Sequence, residues 1–180
     1  MSTSGDQLIT SEGTPELTAA FRRLFEAEFA YVCRSLRRLG VREADMKDVA
    51  QEIFLTVHRH LDEYDTARPV RPWLFSFALR FAANYRRLVR NHGHVPDDDL
   101  PQEAGRGADV EARDLVLRAL GALSFDFRVV IVMHDLEGFS APEIAEQLGC
   151  KLNTVYSRIR LAREDFKSAV ERLQAKGAVS

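Results

Sequence analysis

The sequence predicts an all-α protein made of two small helical domains joined by a flexible acidic linker. Three observations predict it. Apolar residues recur at steps of three and four through most of the chain, β-branched alternation is almost absent from the N-terminal half, and one acidic Gly- and Pro-containing stretch divides the periodic segments. A length of 180 residues allows one domain or two small ones.

Residues 1–15 are polar, carry Gly5 and Gly13 and end in Pro15, as a disordered tail does. A helical period then runs through Leu17, Phe21, Leu24, Phe25, Phe29, Val32, Leu36 and Leu39, and Gly40 ends it as a left-handed C-terminal residue. A second helix is expected over about 44–64, where Val49, Ile53, Val57 and Leu61 recur every four residues beside Phe54. Asp65 to Pro72 reads as a turn, with Pro72 suited to the first turn of a third helix that runs to Asn91. The apolar face expected for that helix is Trp73, Leu74, Phe77, Ala78, Phe81 and Tyr85. The break follows at 92–107, with three glycines, two prolines and a run of acids. Helical period resumes at Val110 and passes through Leu115, Val116, Leu120 and Leu123. A further helix carries Phe127, Val130, Ile131 and His134. The domains are therefore placed at 16–92 and 112–176, with the linker at 93–111.

Composition excludes several classes. No apolar run approaches the ~20 residues of a bilayer span, so no membrane insertion is expected. The N-terminus lacks the basic and apolar regions of a secretory signal, and a cytoplasmic location is expected. Cys33 and Cys150 lie far apart with no ligand-spaced Cys or His, so they read as small core residues and no metal or cofactor is expected. A net charge of −2 argues against coating nucleic acid by charge alone. That mean hides a pattern. From Glu63 to Val95 six arginines face two acids, and from Pro96 to Asp114 seven acids face two arginines.

The clearest motif is GFSAPEIAEQLGCKLNTVYSRIRLARE, Gly138 to Glu164. Ser140 and Glu143 have capping-box spacing, with Pro142 in the first turn. Ala145, Gly149 and Val155 follow the spacing of a helix-turn-helix, in which Gly149 gives the tight turn. The second helix of this motif shows Asn153, Thr154, Tyr156, Ser157, Arg158, Arg160 and Arg163. Short donors near its start suit base edges in a major groove, and flanking arginines suit phosphates. An ordinary helical hairpin with a solvated face is the plainer reading of the same spacing.

In the N-terminal half, Asp48, Gln51, Glu52 and Leu55 fall on adjacent turns of the second helix, a polar strip beside an apolar one. Taken alone, a solvated face is the favoured reading of this strip. His58 and His60 are two apart, point to different sides and make no zinc pair. The third helix interleaves Arg80, Asn84, Arg86, Arg87 and Arg90 with Phe75, Phe77, Phe81 and Tyr85. Basic groups among aromatics suit single-stranded nucleic acid. For Trp73, Phe77 and Phe81 a core role is the better reading, whereas Arg86, Arg87 and Arg90 form a one-sided cluster without acids at four-residue spacing.

Together these stretches resemble the extracytoplasmic-function sigma factors, a group of the sigma-70 family. DVAQEIFLTVHRHLDEYD resembles the family's polymerase-binding helix, PWLFSFALRFAANYRRLVR its −10 helix, and LGALSFDFRVVIVMHDLEGFSAPEIAEQLGCKLNTVYSRIRLARE its sigma-4 domain. The resemblance covers nearly the whole chain after residue 15. It implies a sigma-2 domain at 16–92 and a sigma-4 domain at 112–176. It implies that Asp48, Gln51, Glu52 and Leu55 bind core RNA polymerase (its beta and beta-prime subunits), with the first three docking on the clamp helices of the largest subunit. Arg80, Asn84, Arg86, Arg87 and Arg90 would meet −10 DNA, and the seven residues from Asn153 to Arg163 the −35 element. Asp97, Asp98 and Asp99 in the linker would stand in for RNA phosphates on a basic channel. An anti-sigma factor is an expected partner. The chain departs from the family's pattern at Arg80, often a small polar residue, and at Tyr156, often a basic one.

On this reading the chain is not an enzyme, and promoter opening needs no ATP because no Walker motif is present. A stand-alone helix-turn-helix regulator is the alternative; it explains the C-terminal half and leaves the other two motifs idle. A hydrolase with Asp97–Asp99 and His92 or His94 as a metal site fails for want of a rigid supporting shell in a Gly/Pro linker.

Overall fold

The computed structural model describes residues 15–91 and 108–177. Among these are seven α-helices, a 3-10 turn, a π turn and no strand. Helices α1 (Pro15–Arg38), α2 (Glu43–Arg59) and α3 (Val70–Asn91) pack together as a first lobe. Helices α4 (Ala108–Gly121), α5 (Phe125–Ile131), α6 (Ala141–Leu148) and α7 (Leu152–Gly177) form a second. Apart from Pro15, which opens α1, the expected tail lies outside the described residues, and so do residues 92–107 of the expected break. α4 starts at Ala108, so 108–111 are helical rather than linker.

The first lobe is organised by aromatic packing. Phe54 of α2 is 2% exposed and meets Phe21, Phe25 and Phe29 of α1 at ring-centroid distances of 6.4, 4.9 and 5.9 Å. Aromatic clusters of this kind bury large apolar area in tilted and edge-on pairs. After α1, Gly40 takes φ +91, and the Val41 N–H reaches back to the Leu36 carbonyl, which closes the helix end as expected.

The second helix is shorter than its apolar period. α2 stops at Arg59, where His60 leaves helical geometry and bonds Val57, and Leu61–Glu63 is a 3-10 turn. The cause is tertiary. Tyr64 lays its ring on Trp73 at 4.7 Å, and its hydroxyl donates to the Arg68 carbonyl. α3 starts at Val70, two residues before Pro72, which sits in the first turn where a missing N–H leaves nothing unpaired.

In the second lobe Ser140 and Glu143 form the expected capping box. The Ser140 backbone N–H and hydroxyl donate to the Glu143 carboxylate at 2.7 and 2.6 Å, and the Glu143 N–H donates to Ser140 Oγ. Gly149 is left-handed at φ +60. Val155, Ile159, Ala162 and Ala169 bury one stripe of α7. Replacing Ser140 by Ala should destabilise this lobe by about 1 kcal/mol, read by chemical denaturation; no measurable change would mean that the cap does not hold α6.

The α5 segment widens into a π turn at Val132–Leu136. The extra residue per turn sends His134 and Asp135 toward α7, while Glu137 meets Arg38 of α1. The buried residues of both lobes form one continuous apolar cluster.

Candidate polymerase and promoter interface

On α2 the four predicted residues come together. Asp48, Gln51, Glu52 and Leu55 are all exposed and are spaced as one stripe of a helix. Their neighbours Ile53, Phe54 and Val57 are buried. Leu55 is 65% exposed, the most exposed large apolar side chain described, and Gln51 and Glu52 lie one turn before it. An apolar knob beside an acidic stripe is suited to a partner with a pocket and cations.

On α3, Arg80, Asn84, Arg87 and Arg90 are exposed, and 80, 84 and 87 share a stripe. The Arg80 guanidinium lies 5.0 Å over the Phe77 ring, which orients it. Arg86 corrects the expected cluster. It is half-buried, with its guanidinium 4.8 Å over Phe125 of α5, and burial together with Arg90 lowers its pKa. Phe77, Phe81 and Tyr85 lie on the apolar face as expected, and Phe75, read only among the arginines, joins them there. Phe75 is 0% exposed and Phe77 6%, while Phe81 and Tyr85 are half-buried, so these rings are core and not a stacking platform.

Tyr85 instead ties α3 to α2. Its hydroxyl donates to Asp45 at 2.6 Å and accepts from Arg42 at 2.8 Å. The Tyr85 bond, then that of Arg42, holds the Asp45 carboxyl below its usual value. A depressed folded-state value means that this contribution is present at neutral pH and is lost as pH falls through that value.

On α7, Asn153, Tyr156, Ser157 and Arg160 are exposed and share the face opposite Val155, Ile159 and Ala162. Arg160 pairs with Glu164 at 2.8 Å one turn on, an exposed and solvent-screened contact. Thr154 is half-buried. Arg158 and Arg163 are committed elsewhere: Arg158 reaches Asp126 at 3.5 Å, and Arg163 bonds Asp135 and lies 3.2 Å from His134. The Arg163 bond, with a further one from His134, holds the Asp135 carboxyl down. These two arginines link α7 to α5 and the π turn, and Arg163 stays exposed while doing so.

The sequence reading missed a cleft of about 760 Å³ between the lobes, walled by Tyr64, Trp73 and Phe139 with Glu143 and Glu146 at its edge. Trp73 had read as core; its pairing with Tyr64 across the chain reversal carries no local signal. Among the described residues no acidic, His or Cys cluster could hold a metal, and no helix is long and apolar enough to cross a membrane. Cys33 and Cys150 are half-buried and unbonded to each other.

Comparison with known proteins decides what these surfaces belong to. Sigma-70 region 2 matches residues 24–92, and Sigma-70, region 4 matches residues 113–166. The ECF RNA polymerase sigma factor SigL of Mycobacterium tuberculosis is 32% identical over 164 residues, which span 86% of this chain and 91% of the relative. The chain belongs to the extracytoplasmic-function sigma factors of the sigma-70 family. As such it acts with RNA polymerase in promoter-specific transcription initiation. The ECF RNA polymerase sigma-E factor of Escherichia coli is 29% identical to this sigma factor over 167 residues, 83% of this chain and 86% of the relative. The solved structure of CnrH in complex with the cytosolic domain of CnrY matches its fold with a TM-score of 0.62 at 30% identity, over 86% of this chain and 90% of that one.

Proposed function

We propose that this sigma factor grips core RNA polymerase through Asp48, Gln51, Glu52 and Leu55, meets the −10 element with α3, and reads the −35 element with Asn153, Tyr156, Ser157 and Arg160. The supporting observation is that each assignment falls on the outer stripe of a helix whose opposite stripe is buried, so each set is presented on a rigid support. The clamp helices of the largest polymerase subunit are the docking site for α2. Arg80, Asn84, Arg87 and Arg90 supply phosphate and base contacts at −10, with Arg86 joining them when it leaves Phe125. The acidic stretch holding Asp97–Asp99 runs into the basic interior of the polymerase. The protein works in the cytoplasm, performs no chemistry itself, and is held in check by an anti-sigma factor. CnrH, solved with the cytosolic domain of CnrY, supports that last assignment.

The energetics favour divided labour. A chain of net charge −2 binds duplex DNA weakly by itself. Polymerase supplies the positive surface, and two tethered modules bind two boxes at high effective concentration. Unstacking costs a few kcal/mol per step, on the order of what a flipped base recovers in a protein pocket.

The test is run-off transcription by core polymerase with this chain on a random promoter library. The expected result is two boxes at fixed spacing. Arg160→Ala should relax only the upstream box, by about 1–3 kcal/mol of discrimination at one base pair. Arg87→Ala should weaken initiation without changing the upstream box. A single palindromic site bound by a dimer without polymerase would instead identify a stand-alone regulator.

A further inference from the structure

We propose that Leu152 and Tyr156 form an apolar reading edge at the start of α7, which selects two adjacent T·A pairs in the upstream promoter box through the 5-methyl groups of thymine. The proposal rests on the −35 assignment above. It adds a residue to that assignment, Leu152, and names the base type this chain prefers.

Six large apolar side chains are exposed among the described residues, and two of them, Leu152 at 38% and Tyr156 at 56%, stand one turn apart at the start of α7. Neither holds the helix to its lobe. That work falls to Val155, Ile159 and Ala162, and Leu152 and Tyr156 lie outside the apolar cluster. Leaving such groups in water gives the free protein no burial energy.

Their surroundings point to DNA as the occupant. Lys151, Asn153, Ser157 and Arg160 are exposed on the same turns, and no acid occurs from Gly149 to Arg163. Leu55 on α2 differs, because Glu52 lies one turn before it and suits a cationic protein surface. Neutral donors and cations bordering an apolar pair suit a groove walled by phosphates. The corner that presents Leu152 is fixed. Gly149 is left-handed at φ +60, the Cys150 N–H donates to the Ala145 carbonyl at 3.0 Å, and the Thr154 N–H donates to the Lys151 carbonyl at 2.9 Å. Cβ atoms one turn apart on a helix are separated by about 5–6 Å. Base pairs rise by about 3.4 Å, so the two side chains span two neighbouring pairs.

The chemistry then selects the base. Thymine carries a methyl group on its major-groove edge, and apolar side chains meet it there. Leucine has no donor or acceptor, so that methyl is its means of discrimination. Tyr156 presents ring carbons at a position where an arginine would take guanine through two hydrogen bonds, and a tyrosine moves the preference toward thymine.

The experiment is single-round transcription by subsaturating core polymerase with the full chain on the selected promoter. Each thymine of the upstream box, on either strand, is replaced in turn by deoxyuridine, which lacks only the methyl. Wild type should lose about fourfold in initiation at each of two adjacent pairs, the effect of one buried methyl. Leu152→Ala should be indifferent to the replacement at one of these pairs, and Tyr156→Ala at the other. Far-UV circular dichroism checks helicity, and if one variant unfolds the other decides. An upstream box without thymine on either strand, a wild type indifferent to every replacement, or variants with undiminished methyl sensitivity overturns the proposal. Weakened assembly of Leu152→Ala with core enzyme, with methyl sensitivity intact, also overturns it and assigns the pair to a protein surface. Arg160→Ala separates the two readings. If it relaxes the upstream box while the methyls are silent, the −35 assignment stands and the methyl proposal alone falls. If it also leaves the box unchanged, both fall.

Discussion

Glu52→Lys combined with Leu55→Ala should abolish stable binding to core polymerase while leaving the free protein as stable as wild type to within about 0.5 kcal/mol. Both side chains are exposed, so the folded monomer loses little when they change. In the complex the loss is large. Burying a leucine side chain contributes about 1.5–3 kcal/mol, and reversing a charge that faces a desolvated cation costs about 2–5 kcal/mol. The two effects are not strictly additive for neighbours one turn apart. Together they should still weaken binding at least about a thousandfold, measured by fluorescence anisotropy against core enzyme. A loss below tenfold would mean that α2 is not the main contact.

Phe54→Ala should do the opposite to the adjacent position. Its ring is 2% exposed and sits among three phenylalanines of α1. Truncation of such a ring costs about 3–5 kcal/mol, because a cavity remains where the helices cannot close. Domains of this size hold only about 5–15 kcal/mol in total, so the first lobe should be partly unfolded near body temperature. Denaturant unfolding followed by circular dichroism checks this, and a loss under 1 kcal/mol would show that the cluster is not central. Positions 54 and 55 thus separate fold from function across a single peptide bond.

Local signals were the legible part of this sequence. Gly40 ending α1, the Ser140–Glu143 box and Gly149 in the helix-turn-helix each depend on a few neighbouring residues, and each is found as read. The end of α2 was not legible, because Leu61 continues the apolar period and no Gly or Pro interrupts it. The break is set by Tyr64 meeting Trp73, nine residues away. Phe75 was read among the arginines because a single amphipathic face was assumed for α3. The second lobe gives that helix another neighbour, Phe139, and so widens the buried face to include Phe75. Arg86 lies over Phe125 of that lobe, a contact with no local signal in the sequence. Arg158 and Arg163 looked available because their acids, Asp126 and Asp135, lie about thirty residues upstream and not one turn away.

Single-round transcription by bacterial core polymerase, with and without the purified chain, on duplex templates recovered from the promoter library tests the central claim most directly. The account predicts that the chain alone confers one sharp start site, without ATP hydrolysis by an added factor, and that it co-migrates with core enzyme on gel filtration. Initiation that stays scattered, together with elution of the chain apart from the polymerase, would contradict it.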